Sequence, residues 1–103
     1  MMHIRIDVEN MCVEVSGHAG YAPAGQDIVC AAVSTLIYTL AQNLALCLHP
    51  DDYTTKIEDG YAYIKANPPD ISTEECRDIF MIIANGLMML EAEYGQYIQV
   101  EGD

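Results

Sequence analysis

The sequence predicts an α+β fold, a single mixed or antiparallel sheet in the order ββαββαβ with two long helices packed on it. Three observations predict it. Residues 2–16 hold two short runs in which apolar and polar side chains alternate. Residues 53–65 hold two more runs around Glu58-Asp59-Gly60, and Asp-Gly between such runs marks a hairpin. Two further segments, 28–48 and 73–94, are long and apolar at helical spacing. Two hairpins exclude a purely parallel sheet, because parallel neighbours need long crossovers.

Each element has a local reason. Ile4, Ile6 and Val8 alternate with His3, Arg5 and Asp7 in the first strand, and Glu9-Asn10 can turn it. Met11, Val13 and Val15 alternate with Cys12, Glu14 and Ser16 in the second, which Gly17 ends. The first helix is expected from Ile28 to about Leu48, with Asp27 as N-cap and a stop at His49-Pro50. Val33, Leu36, Ile37, Leu40, Leu44 and Leu48 form a stripe wide enough to call for cover by sheet and by another helix or subunit. The segment is also long enough to span a membrane. However, Ser34, Thr35, Thr39, Gln42 and Asn43 interrupt it and no Lys or Arg flanks it, so a buried helix is expected and no membrane partner.

Tyr53–Ile57 and Tyr61–Lys65 form the second hairpin, and Asn67-Pro68-Pro69-Asp70 is a rigid break. Ser72-Thr73-Glu74-Glu75 reads as a capping box with Ile71 and Cys76 as its hydrophobic staple. The second helix then runs to about Tyr94, with Gly95 as its stop. Cys76, Ile79, Phe80, Ile83, Leu87 and Leu90 are expected to face inward. Met81, Met88 and Met89 read as core filling, or else as adaptable surface for a partner. Tyr97–Glu101 closes as a short strand.

At 103 residues the chain is expected to form one domain over 1–103, small enough for dimerisation to help its stability. Sixteen acidic residues face four basic ones, a net charge of −12 that repels a phosphate backbone and argues against direct nucleic-acid binding. The same field attracts a basic protein or peptide, or serves solubility alone. Four cysteines without a CxxC, behind an N-terminus with no apolar signal core, point to reduced thiols and a cytoplasmic protein.

The chemistry gathers in GHAGYAPAGQDIVCAAVS, Gly17 to Ser34. With Asp27 as N-cap, Cys30 falls in the first helical turn, where free amides favour thiolate over thiol. His18 is the nearest base, across a loop long enough to fold back onto the sulfur. His49 lies roughly 28 Å along the helix and His3 at the frayed start of the chain, so neither serves Cys30 within one subunit. Gly20 and Gly25 let the loop act as a flap over substrate, and amides at the helix start, Cys30's included, could hold an oxyanion. Asp27 either orients His18 or only caps the helix. A packing role for Cys30 and a surface role for His18 remain the plain alternative. One His and one Cys leave a metal site two ligands short, so no metal or cofactor is expected.

This stretch resembles the signature of the Prp-type ribosomal-processing cysteine proteases: G-H-A, a short loop ending in G, then D-I-V-C-A and a small residue before Ser. The likeness extends over nearly the whole chain, to the acidic helix end Glu91-Ala92-Glu93-Tyr94. It implies an α+β homodimer and a Cys-His endopeptidase. In bacteria such as Firmicutes that enzyme removes a short N-terminal extension from large-subunit ribosomal protein twenty-seven. By matching positions it implies Cys30 as nucleophile, His18 as its partner, Asp27 as the acidic residue and the Gly20–Gly25 loop as flap. Tyr21-Ala22-Pro23-Ala24 departs from the pattern and puts loop mobility and side-chain preference in question. A mobile-element relative acting on a capsid protein would look much the same. The rival from another class is a non-catalytic acidic module that grips a basic ribosomal or capsid protein.

Overall fold

The computed structural model describes residues 1–102. Its elements are β1 (Met2–Asp7), β2 (Cys12–Ser16), α1 (Ile28–Cys47), β3 (Tyr53–Glu58), β4 (Tyr61–Ala66), α2 (Thr73–Tyr94) and β5 (Ile98–Gly102). Single 3₁₀ turns, Pro50–Asp52 and Asp70–Ser72, lead into β3 and α2. The five strands form one mixed sheet in the order β3-β4-β2-β1-β5. Only the β1–β5 pairing is parallel. The ββαββαβ order and the α+β class are as the sequence predicts.

Alternation in the strands sends one set of side chains to the helices. Met2, Ile4 and Ile6 of β1, Val13 and Val15 of β2, and Ala62, Ile64 and Ala66 of β4 are buried. They join Val29, Val33, Ile37, Leu40 and Leu44 of α1 and Cys76, Phe80, Ile83, Ala84 and Leu87 of α2 in one apolar cluster. Among the described residues no polar or charged side chain is buried. α1 is long and apolar enough, by length and composition alone, to cross a membrane. In this fold its apolar stripe faces the core, while Thr35, Thr39 and Asn43 on the outer side donate to carbonyls four residues back.

The entry to α2 departs from expectation. Ser72 sits at the end of the 3₁₀ turn with φ −103° and ψ 0°, and its side chain makes no capping bond. An N-cap side chain reaches the helix amides from an extended backbone, so this conformation forfeits the capping box. Ile71 is 94% exposed, and no staple to Cys76 forms. Gly95 ends α2 with φ −59°, in the right-handed region, so the left-handed stop expected of a glycine is absent. Met81, Met88 and Met89 are exposed, together with Ile82, so the core-filling reading fails for them.

Phe80 carries the largest fully buried side chain, so Phe80→Ala is expected to lower unfolding free energy by about 3–5 kcal/mol. Ile71→Ala should stay within roughly 0.5 kcal/mol, since nothing covers Ile71. Urea midpoints at constant m-value check both.

Candidate active site

The site forms where β2 ends, α1 begins and the β3–β4 hairpin turns. β2 and β4 pair so that Ser16 lies opposite Tyr61, which brings the end of β2 level with the hairpin tip. The Gly17 N–H donates to the Gly60 carbonyl at 2.9 Å and ties the two together. His18 follows with its imidazole exposed, then Ala19, which is buried. The Ala19 N–H donates to Cys30 Sγ at 3.3 Å, so the exit from β2 rests directly on the sulfur.

Asp27 is the N-cap of α1. Its Oδ1 accepts from the N–H groups of Val29 at 3.0 Å and Cys30 at 2.9 Å, and its Oδ2 accepts from the Tyr21 N–H at 3.0 Å. Both oxygens are thus engaged with backbone: Asp27 caps the helix, as expected, and also ties down the loop. Gly20 and Gly25 have φ of +74° and +85° with no atom within 4 Å of an added Cβ, so backbone conformation rather than space requires glycine there. Between them the Tyr21 ring stands edge-on to Tyr97 and Tyr94, with centroids 5.1 and 6.0 Å away. One end of the loop is therefore anchored, while Ala22 to Gln26 arch over open space.

Two clefts meet at the sulfur. One, about 350 Å³, runs between the Val33–Tyr38 stretch of α1 and the hairpin from Ile57 to Ala62. The other, about 630 Å³, lies beneath the loop from Gly20 to Gln26. Both are lined by His18, Cys30, Ser34 and Asp59. Neither is lined by Cys12, Cys47 or Cys76.

The electrostatics of the thiol reverse the expectation from helix position. Burial pushes the Cys30 thiol above its ordinary value; the Asp27 carboxylate, which draws on the thiol hydrogen, and the Asp59 charge add to this, while the Ala19 N–H works the other way. The Val29 and Cys30 amides that would favour thiolate are taken up by the Asp27 carboxylate. For the same reason the Cys30 N–H is not free to hold an oxyanion. Desolvation raises Asp27, but the N–H groups of Cys30 and Tyr21 and the thiol outweigh it and hold that carboxyl below the usual range. His18 makes no hydrogen bond to Sγ among the described residues, and its Nε2 lies 3.8 Å from Asp59 Oδ1. No group of three or more His, Cys, Asp and Glu side chains that could hold a metal occurs among the described residues.

Sequence reasoning missed two residues of this site. Ser34, one helical turn beyond Cys30, shares its face of α1, a relation the spacing does carry. Asp59 has no such signal, because only the pairing of β2 with β4 brings it to His18.

A family model described as cysteine protease Prp matches residues 1–99. The chain belongs to this family. Its members are cysteine proteases, so the non-catalytic module gives way to an enzyme. The Prp ribosomal processing protease of S. aureus, solved with a covalently linked product peptide, is similar over the whole of both chains at 25% identity with a TM-score of 0.81. The same protease solved with a substrate peptide is also covered in full, at 24% identity and TM-score 0.75. A Streptococcus mutans protein matches at 24% identity and TM-score 0.68 over 98% of this chain and 90% of its own. No curated protein sequence matches significantly.

Because burial, and then the nearby carboxylates, push the Cys30 thiol up, its alkylation by iodoacetamide should quicken steadily as pH rises beyond the ordinary cysteine range. Asp27→Asn keeps an acceptor for the helix amides and removes the charge, so it should speed alkylation at neutral pH. Slower alkylation in that variant would contradict the electrostatic account.

Proposed function

We propose that this protein is an endopeptidase that trims a short N-terminal extension from a basic large-subunit ribosomal protein, with Cys30 as nucleophile and His18 as its proton acceptor. The observation that carries the reading is that Cys30 lines two adjoining clefts, both also lined by His18. A nucleophile that cuts within a chain needs room for peptide on both sides of the scissile bond, and the two clefts supply it. Membership of the Prp family and the peptide complexes of the S. aureus protease support the substrate class. The net charge of −12 favours encounter with a basic protein.

The raised thiol sets the order of events. Burial, and after it the Asp27 charge, disfavour the Cys30 thiolate, and in this reading His18 acts as a general base on a thiol rather than as half of a preformed ion pair. As imidazole removes the proton, sulfur attacks the peptide carbonyl and the carbonyl oxygen takes the negative charge. The Ala19 N–H, already aimed at the sulfur, is a donor for that charge, since the Val29 and Cys30 amides are held by Asp27. Imidazolium then protonates the leaving amine. Water, giving its proton to His18, attacks the thioester, and collapse of that adduct releases the carboxylate and restores the thiol.

Two further properties belong to the same reading. The enzyme works in the cytoplasm, where a ribosomal protein is met before assembly and thiols stay reduced. It works as a homodimer, since Tyr38 and Leu46 of α1 and Ile82, Met88 and Met89 of α2 leave apolar surface exposed on the helical side.

Incubation with the organism's own extended ribosomal protein, read by intact mass, tests the activity. Wild type should remove the extension, Cys30→Ala should leave it in place with an unchanged unfolding midpoint, and His18→Ala should slow removal by roughly 10²–10⁴-fold. Cleavage by Cys30→Ala would overturn the assignment, and cleavage of a capsid protein in place of the ribosomal one would move the substrate class. Sedimentation equilibrium should give twice the chain mass, falling to one chain in Met89→Asp.

A further inference from the structure

We propose that Asp59, at the tip of the β3–β4 hairpin, is the positioning residue for the His18 imidazole, completing a Cys30–His18–Asp59 arrangement. This rests on the assignment of Cys30 and His18 above.

Three observations lead there. First, the hairpin tip is built around His18. Gly60 is bonded through its carbonyl to the Gly17 N–H, and a Cβ on Gly60 would come within 3.0 Å of His18 Nε2. With φ +74° and an imidazole in that space, no other residue fits the position without displacing the ring. Second, Asp59 Oδ1 lies 3.8 Å from Nε2, and the Asp59 carboxylate accepts no hydrogen bond among the described residues. A rotation that brings it about 1 Å closer makes a charge-assisted hydrogen bond. Third, the other carboxylate of the site, Asp27, holds three backbone amides and draws on the thiol hydrogen, and among the described residues it makes no ion pair with His18.

A base that takes a proton at one ring nitrogen works best when a carboxylate holds the other and stabilises the imidazolium that forms. Asp59 approaches the ring at Nε2, which leaves Nδ1 as the nitrogen to take the thiol proton, and it lines both clefts with His18 and Cys30. Two effects of its charge then oppose each other. Acting directly on sulfur, Asp59 disfavours thiolate. Acting through His18, it helps imidazole draw the thiol proton. The proposal is that the second effect prevails, so the sign of a single substitution separates a positioning residue from a bystander charge.

The test measures Cys30 alkylation by iodoacetamide at neutral pH, read by mass spectrometry, in wild type, Asp59→Asn, Asp59→Glu, His18→Ala and the His18→Ala/Asp59→Asn double variant. The kcat and KM for the extended ribosomal protein are measured alongside. Asp59 is 97% exposed, so its variants should melt with wild type. Asp59→Asn should slow alkylation and lower kcat by roughly tenfold, a part of the 10²–10⁴ a general base supplies, with KM unchanged. Asp59→Glu should recover most of the loss. Without His18 the sign should reverse, and Asp59→Asn should speed alkylation. Faster alkylation in Asp59→Asn with His18 present, or an unchanged kcat, overturns the role of Asp59 alone. If His18→Ala itself leaves both alkylation and kcat unchanged, the Cys30–His18 assignment falls, and this proposal with it.

Discussion

The structure turns on one carboxylate and the three backbone amides it holds. Asp27 fastens the first turn of α1 through Val29 and Cys30 and the start of the loop through Tyr21. Those bonds settle where the sulfur sits relative to Ala19 and His18. They also have an electrostatic cost, since a negative charge beside the thiol opposes its ionisation. Placement and acidity are thus set against each other by one residue.

The sheet order explains why the hairpin tip lies beside His18. Because β2 lies between β1 and β4, the turn joining β3 to β4 comes up against the end of β2 and not at a distant edge. The parallel pairing of β5 with β1 does similar work on the other side. It returns the chain so that Tyr94 and Tyr97 stand against Tyr21, and the loop over the second cleft is held at one end by aromatic contacts. Both helices pack on one face, so their outer sides remain apolar where the core does not reach them.

Particular residues show how far local reading goes. The Asp27 cap was legible because an acceptor before an apolar helical run needs only its next three residues to act. The Asp-Gly turn at Asp59-Gly60 was legible as a hairpin for the same reason, yet nothing local could say that His18 would lie against it. Ser72 carried the letters of a capping box, but the prolines before it lead into a 3₁₀ turn whose backbone points the hydroxyl away from the helix amides. Helix position alone favours a Cys30 thiolate, but burial, which no local pattern shows, and then the charge of the capping carboxylate push the thiol the other way.

Chain order, the strand and helix runs, the cap and the pairing of Cys30 with His18 as candidates follow from side-chain periodicity, from hydrogen bonds spanning two to four residues and from a long shared motif. All of these can be read along a chain. The nearness of Asp59 to His18, the two clefts that share Cys30 and the upward push on its thiol depend on distances between segments far apart in sequence. Desolvation and charge act through space, and folding alone sets that space.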